Sequence, residues 1–283
     1  MQWEELTATD FARAVRETGV CVLPLGVLEK HSEHLPLGTD YLAAHRVACL
    51  ATEQEPAVVF PPFYFGQIYE ARCFPGAVTL KPTLLLELLQ GVLDEIGRNG
   101  FTKIVLYNGH GGNTHFLSFL AQCSLWEEKS YSLYMPLRPL TPDGEKEWRA
   151  LLESEFGEHA GETETSLMLG TYPHLVKLER IPEAPGAPLN RLGHLPPTMT
   201  GIWWYSDYPQ HYAGDARPAT PEKGKVLTRL MVEALAHYLA AVKADEVVPA
   251  LEQEFFRHER HLDGTAPANQ GQMPRAPSWR AIT

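Results

Sequence analysis

The sequence predicts an α/β fold, a three-layer α/β/α sandwich around a mostly parallel central sheet, on three observations. Short apolar runs alternate with amphipathic stretches, the best of those runs end in glycine-rich polar loops, and no repeat or linker divides the chain. Residues 20–26 (V-C-V-L-P-L-G) suit a strand buried on both faces. A polar loop follows over 29–40, then a helix over about 41–53 and a short strand over 57–60, stopped by Pro61 and Pro62. Residues 82–99 form an amphipathic helix, with Pro82 in its first turn and Gly100 just past its end. The run 103–107 is a second buried strand leading into N-G-H-G-G-N, with a helix expected over 114–125 and a strand over 131–135. Residues 163–169 read as helix, 182–218 show no periodicity, and Leu227, Leu230, Met231, Ala234 and Tyr238 make the apolar stripe of a last long helix over 220–241. One domain is expected over 1–262, with a C-terminal tail of low structure over 263–283.

Composition narrows the class. Among 283 residues, 35 acids against 24 Lys and Arg give a net charge of −11, which opposes a nucleic-acid-binding surface. Four cysteines form no CxxC pair, the N-terminus lacks the pattern of a signal peptide, and no apolar run is long enough to cross a bilayer. A cytoplasmic protein with a small-molecule substrate, no nucleic-acid partner and no membrane association is the expectation.

Three loops carry the chemistry. In the first, Glu29 and His31 share a side if the chain stays extended, and Asp40 can fold back past the Leu35–Gly38 bend. Carboxylate, imidazole and carboxylate suit Zn²⁺, Mn²⁺ or Fe²⁺. His34, three positions from His31, is expected to serve structure. In the second loop, glycines flank His110, which allows close backbone approach to a ligand; a turn whose His caps the next helix is the plainer reading. The third, H-A-G-E-x-E-T-S at 159–166, offers His159, Glu162 and Glu164, although an ordinary helix start would also favour acids there.

Together the loops resemble the signature segments of the creatininase (creatinine amidohydrolase) family: E-x-H-x-x-H-L-P-L-G-T-D, N-G-H-G-G-N and H-A-G-E-x-E-T-S, supported by Phe74-Pro75-Gly76 and by T-P-E-K-G at 220–224. The resemblance implies two divalent metal ions per chain (Zn, Mn or Fe). Glu29 and His31 would bind different ions, Asp40 would bridge them and His110 would complete one. It also implies a homo-oligomer, a hexamer in known members. Creatininase itself reads N-G-H-Y-E-N, its Glu being a ligand, and Gly111 and Gly112 stand there instead; its tryptophan and acid before the histidine are replaced by Glu155 and Phe156. Glu162 is therefore expected to supply the missing ligand, with Glu164 structural. His159 is the expected catalytic acid–base residue. Gln67, Glu70, Arg72, Gly111 and the Trp203-Trp204-Tyr205 segment are candidates for the substrate wall. The expected activity is hydrolysis of a non-peptide C–N bond, in a cyclic amide or formamide other than creatinine. An inactive metal-stabilised scaffold, or a lyase or isomerase on the same fold, is the rival reading.

Overall fold

β1 (Val20–Leu25) lies at the middle of a parallel sheet because its side chains are apolar on both sides. The computed structural model of the protein describes residues 1–154, 157–260 and 262. The sheet has the order β2-β1-β3-β4, with β2 at Val58–Val59, β3 at Lys103–Asn108 and β4 at Ser132–Tyr134, all parallel. Pro24 is tolerated in β1 because pairing to β2 ends at Val22, and Pro61 and Pro62 follow on that side.

Alternation splits β1 between two cores. Cys21, Leu23 and Leu25 face α1 (Ala8–Thr18), α3 (Pro82–Arg98) and α4 (Asn113–Cys123) through Ala14, Leu89, Leu93, Ile96, Leu117 and Leu120. Val20 and Val22 face α2 (Thr39–Gln54) and α8 (Pro221–Ala244) through Val47, Ala48, Ala51, Leu235 and Leu239. That is the expected three-layer sandwich. α5 (Pro142–Leu151), α6 (Glu162–Thr171) and α7 (Trp203–Asp207) complete this part, with β5 (Gly157–His159) paired antiparallel to β6 (Ala213–Gly214).

The ends of the helices follow local chemistry. Thr7, Thr141 and Thr220 cap α1, α5 and α8 by accepting backbone N–H groups three residues on. Gly19 and Gly100 take the left-handed conformation after α1 and α3, at φ of 64° and 102°. α6 and α8 cross so closely at Gly170 and Gly224 that a Cβ on either glycine would strike the other helix's backbone.

The described residues group into two compact units, Met1–Asp245 and a second beginning at Glu246, which holds α9 (Val247–Arg260). The domain expected over 1–262 spans both. The tail expected over 263–283, and the replacements at Glu155 and Phe156, lie outside the described residues. No described helix is long and apolar enough to cross a membrane.

Candidate metal centre

The sheet brings the motif loops together at the carboxyl ends of β1 and β3, where α/β sheets bind ligands. Asp40 sits in the first turn of α2, earlier than the expected helix start, and its backbone is clasped between Gly26 after β1 and Gly109 after β3. A side chain on either glycine would collide with the backbone of residues 40–41.

Two histidines then face Asp40 from opposite sides with the same logic. His110 Nε2 lies 3.0 Å from the Gln67 carbonyl, so its N–H is committed there. The other nitrogen, Nδ1, is left with a lone pair, 2.8 Å from Glu29 Oε1 and 3.1 Å from Asp40 Oδ2. His31 Nδ1 lies 3.3 Å from the Glu29 carbonyl, and its Nε2 faces Asp40 Oδ1 at 3.0 Å and Glu164 Oε2 at 3.7 Å. Asp40 thus gives one oxygen to each of two candidate trios, Glu29, Asp40 and His110, and His31, Asp40 and Glu164; Glu29, His31 and His159 converge as a third. Glu29 Oε1 and Asp40 Oδ2 are buried without an aligned hydrogen bond among the described residues. Lone pairs converging on lone pairs need a positive charge between them. The donor set, mixed carboxylate and imidazole with outer carbonyls fixing each tautomer, fits a divalent cation of the Zn, Mn or Fe type.

In the metal-free chain protons take that place. Burial opposes charge on His31 and His110, but Asp40 beside the first raises it to about 10, and Glu29 and Asp40 raise the second well above the ordinary value. Burial likewise opposes the Glu29 carboxylate, yet the charges of His110 and His159 and the close approach of the His110 and His211 rings hold it well below the usual range. Glu164 is pushed up to about 7, by burial first.

Glu162, the expected replacement ligand, is not brought into any of the trios. Its Oε1 pairs with Lys223 at 2.6 Å, and its Oε2 accepts from Ser154 N at 2.8 Å and Ser154 Oγ at 2.7 Å. The close α6–α8 crossing sets Lys223 against it, so both oxygens are saturated away from the trios. Glu164, two positions on and about 200° around the helix, faces His31 and also accepts from Ala160 N at 2.6 Å. The two acids do diverge as helical spacing demands; the one facing the site is the other one. Lys223, in the T-P-E-K-G segment, was the available signal.

His159 Nε2 lies 2.8 Å from the Lys30 carbonyl and 3.7 Å from Glu29 Oε2, with its ring 4.3 Å from that of His31. Burial first, then the charge of His31, lowers its pKa to about 4. His34 hydrogen-bonds Thr165 at 2.9 Å and belongs to none of the trios. A cavity of about 800 Å³ opens onto the centre, lined by Glu29, His110, His159, Glu164 and His211 and by Gln67, Glu70, Gly111, Trp203 and Trp204. Arg72 does not line it: the residue after a 3₁₀ turn, it is exposed to solvent. Tyr205 also lies outside that lining and stacks under Arg191. His211, which the sequence did not single out, is buried beside Glu29. It lies in the aperiodic stretch, and only its residue type could have marked it.

The sequence pattern of the Creatininase family, described as creatinine amidohydrolase, matches residues 4–239. The chain is 28% identical over 262 residues to the creatinine amidohydrolase of Pseudomonas putida, covering 82% of this chain and 93% of that one. It is 32% identical over 226 residues to the mycofactocin precursor peptide peptidase of Mycolicibacterium smegmatis, covering 76% and 82%. A creatininase variant solved in a Zn–Zn form superposes with a TM-score of 0.74 at 26% identity, covering 86% of this chain and 98% of that one.

Proposed function

The chain belongs to the creatininase family, and we propose that it is a binuclear metal-dependent hydrolase of a non-peptide C–N bond, in a cyclic amide or formamide other than creatinine. The observation that carries this is the division of Asp40, one oxygen toward each histidine-carboxylate pair. Glu29 and His110 would hold one ion, His31 and Glu164 the other, and Asp40 both. Such ions supply Lewis acidity to a carbonyl and make water a better nucleophile near neutral pH. The relatives' printed metals favour zinc or manganese.

The chain's own residues do the rest. With its Nε2–H committed to the Lys30 carbonyl, His159 takes up and returns a proton at Nδ1, the step the leaving nitrogen requires. Gln67 fixes His110 through its carbonyl and also hydrogen-bonds Glu70 at 3.0 Å, so the ligand shell and one cavity wall are joined. Gly111, with open space where a side chain would project, leaves that wall wide. Trp203 and Trp204 make the opposite, apolar wall.

The test is a panel of formamides, cyclic amides and creatinine offered to the zinc-loaded and manganese-loaded protein. Turnover of a formamide or cyclic amide, abolished by chelation and restored by metal, is expected, with negligible turnover of creatinine. Efficient creatinine hydrolysis, or activity indifferent to chelation, would overturn the proposal. Assembly as a homo-oligomer, checked by light scattering, belongs to the same reading.

A further inference from the structure

We infer that His211 is a positioning residue, whose Nδ1–H holds Oε2 of Glu29 so that Oε1 of the same carboxylate is presented to the ion shared with His110 and Asp40. This rests on the reading of Glu29 as a ligand. His211 lies in none of the three trios, yet its side chain is 1% exposed and neither ring nitrogen has an aligned hydrogen bond among the described residues. Nδ1 stands 3.4 Å from Glu29 Oε2, while Glu29 Oε1 turns to His110 Nδ1 at 2.8 Å. Each carboxylate oxygen therefore has its own neighbour. A bare lone pair on Nδ1 would be repelled by the carboxylate, so a proton belongs on that nitrogen. Contacts of this kind are often long in a free enzyme and shorten when the site fills.

The fold holds the ring there at a cost. His211 has a φ of 51°, in the left-handed region, and its carbonyl accepts from the N–H of Ser32, itself at 55°. Its ring is fixed by Phe74 at 5.0 Å, His159 at 5.3 Å and Trp204 at 6.4 Å between centroids. Strain and a buried imidazole without aligned partners together are unfavourable in the free chain and understandable where the loaded site uses the side chain. Outer partners that orient a ligating carboxylate have this role in metal sites generally.

Two substitutions suit a left-handed backbone: His211→Gly removes the side chain, and His211→Asn places an amide N–H near the former Nδ1. Zinc titration of the metal-free protein should show one of two affinities weakened about 10–100-fold in His211→Gly, the other unchanged, and recovery in His211→Asn. In the wild-type zinc form, ¹⁵N NMR should give His211 Nδ1 the signal of a protonated ring nitrogen. Unchanged affinities in His211→Gly, no recovery in His211→Asn, or the proton on Nε2 would overturn the inference. The wild-type signal decides alone if His211→Gly does not fold. Wild-type protein that takes up no zinc would overturn both this and the metal reading; two ions in wild type with His211→Gly indistinguishable from it would overturn this one only.

Discussion

Glu162 and Glu164 stand two positions apart in the first turn of α6, and their surroundings are opposite. Glu162 meets an ammonium, a hydroxyl and backbone N–H groups, so each lone pair it buries has a donor. Glu164 accepts a single backbone N–H, from Ala160, and otherwise shares with Asp40 and Glu29 the two imidazole nitrogens turned to the centre. Both regions are acidic, with Glu162 fully buried and Glu164 a quarter exposed. Donor count separates them: a carboxylate already satisfied is structural, and a set in excess over its donors calls for a cation.

Substitutions can break or sharpen that contrast. Asp40→Ala removes the oxygen pair common to its two trios and should cost both ions, with kcat/KM falling about a thousandfold or more, or about 4 kcal/mol. Elemental analysis and kinetics on one preparation check this, and full metal content would remove Asp40 from the bridging position. Glu164→Gln should lose one ion and about a hundredfold in activity while folding normally, if the proposed reading of it as a ligand holds.

Glu162→Gln should do the reverse, keeping both ions while losing about 2 kcal/mol of unfolding free energy, because Lys223 exchanges one charged partner for a neutral one while keeping Glu153. Denaturant unfolding of the chelated protein measures it; loss of an ion without loss of stability would restore Glu162 as a ligand. The same pair predicts a pH dependence. Burial opposes ionised Glu162, but Lys223 and Ser154 win and its folded pKa lies below 4.5. A depressed carboxylate stabilises fully above its unfolded pKa and ceases to as pH falls through the folded one. The gap between wild type and Glu162→Gln should therefore be complete at neutral pH and shrink below about pH 4.5, as unfolding at a series of pH values would show. The smallest effect belongs to Arg72→Ala, expected to leave kcat/KM within about twofold, since its side chain points to solvent. A larger loss would return Arg72 to the substrate wall.

What could be read in the sequence divides along the range of the forces involved. β1, β3 and the helices ending at Gly100 and starting at Thr220 carry periodicity and caps within their own residues. The Glu29, His31, Asp40 and His110 loops were readable because each follows directly from a strand or lies within one loop of it. The choice between Glu162 and Glu164 depends on where Lys223, 61 residues along the chain from Glu162, lands, which the Gly170–Gly224 crossing sets. α1 and α5 went unread although Thr7 and Thr141 cap them; both are short, and Ala14 is the only buried residue of α1. His211 sits in a stretch with no period, and its place beside Glu29 comes from tertiary packing alone.

The two glycines that clasp Asp40 bear on how this protein can be altered. Gly26 and Gly109 carry no chemistry, yet in a saturation library they should be as intolerant as the ligands, since any Cβ there displaces Asp40's own backbone. Gly111 has open space beside it and Trp203 is partly exposed at the other wall. Randomising those two positions should yield many folded, metal-retaining variants with shifted substrate preference, so selection for new activities belongs on the walls of the cavity and not at its base.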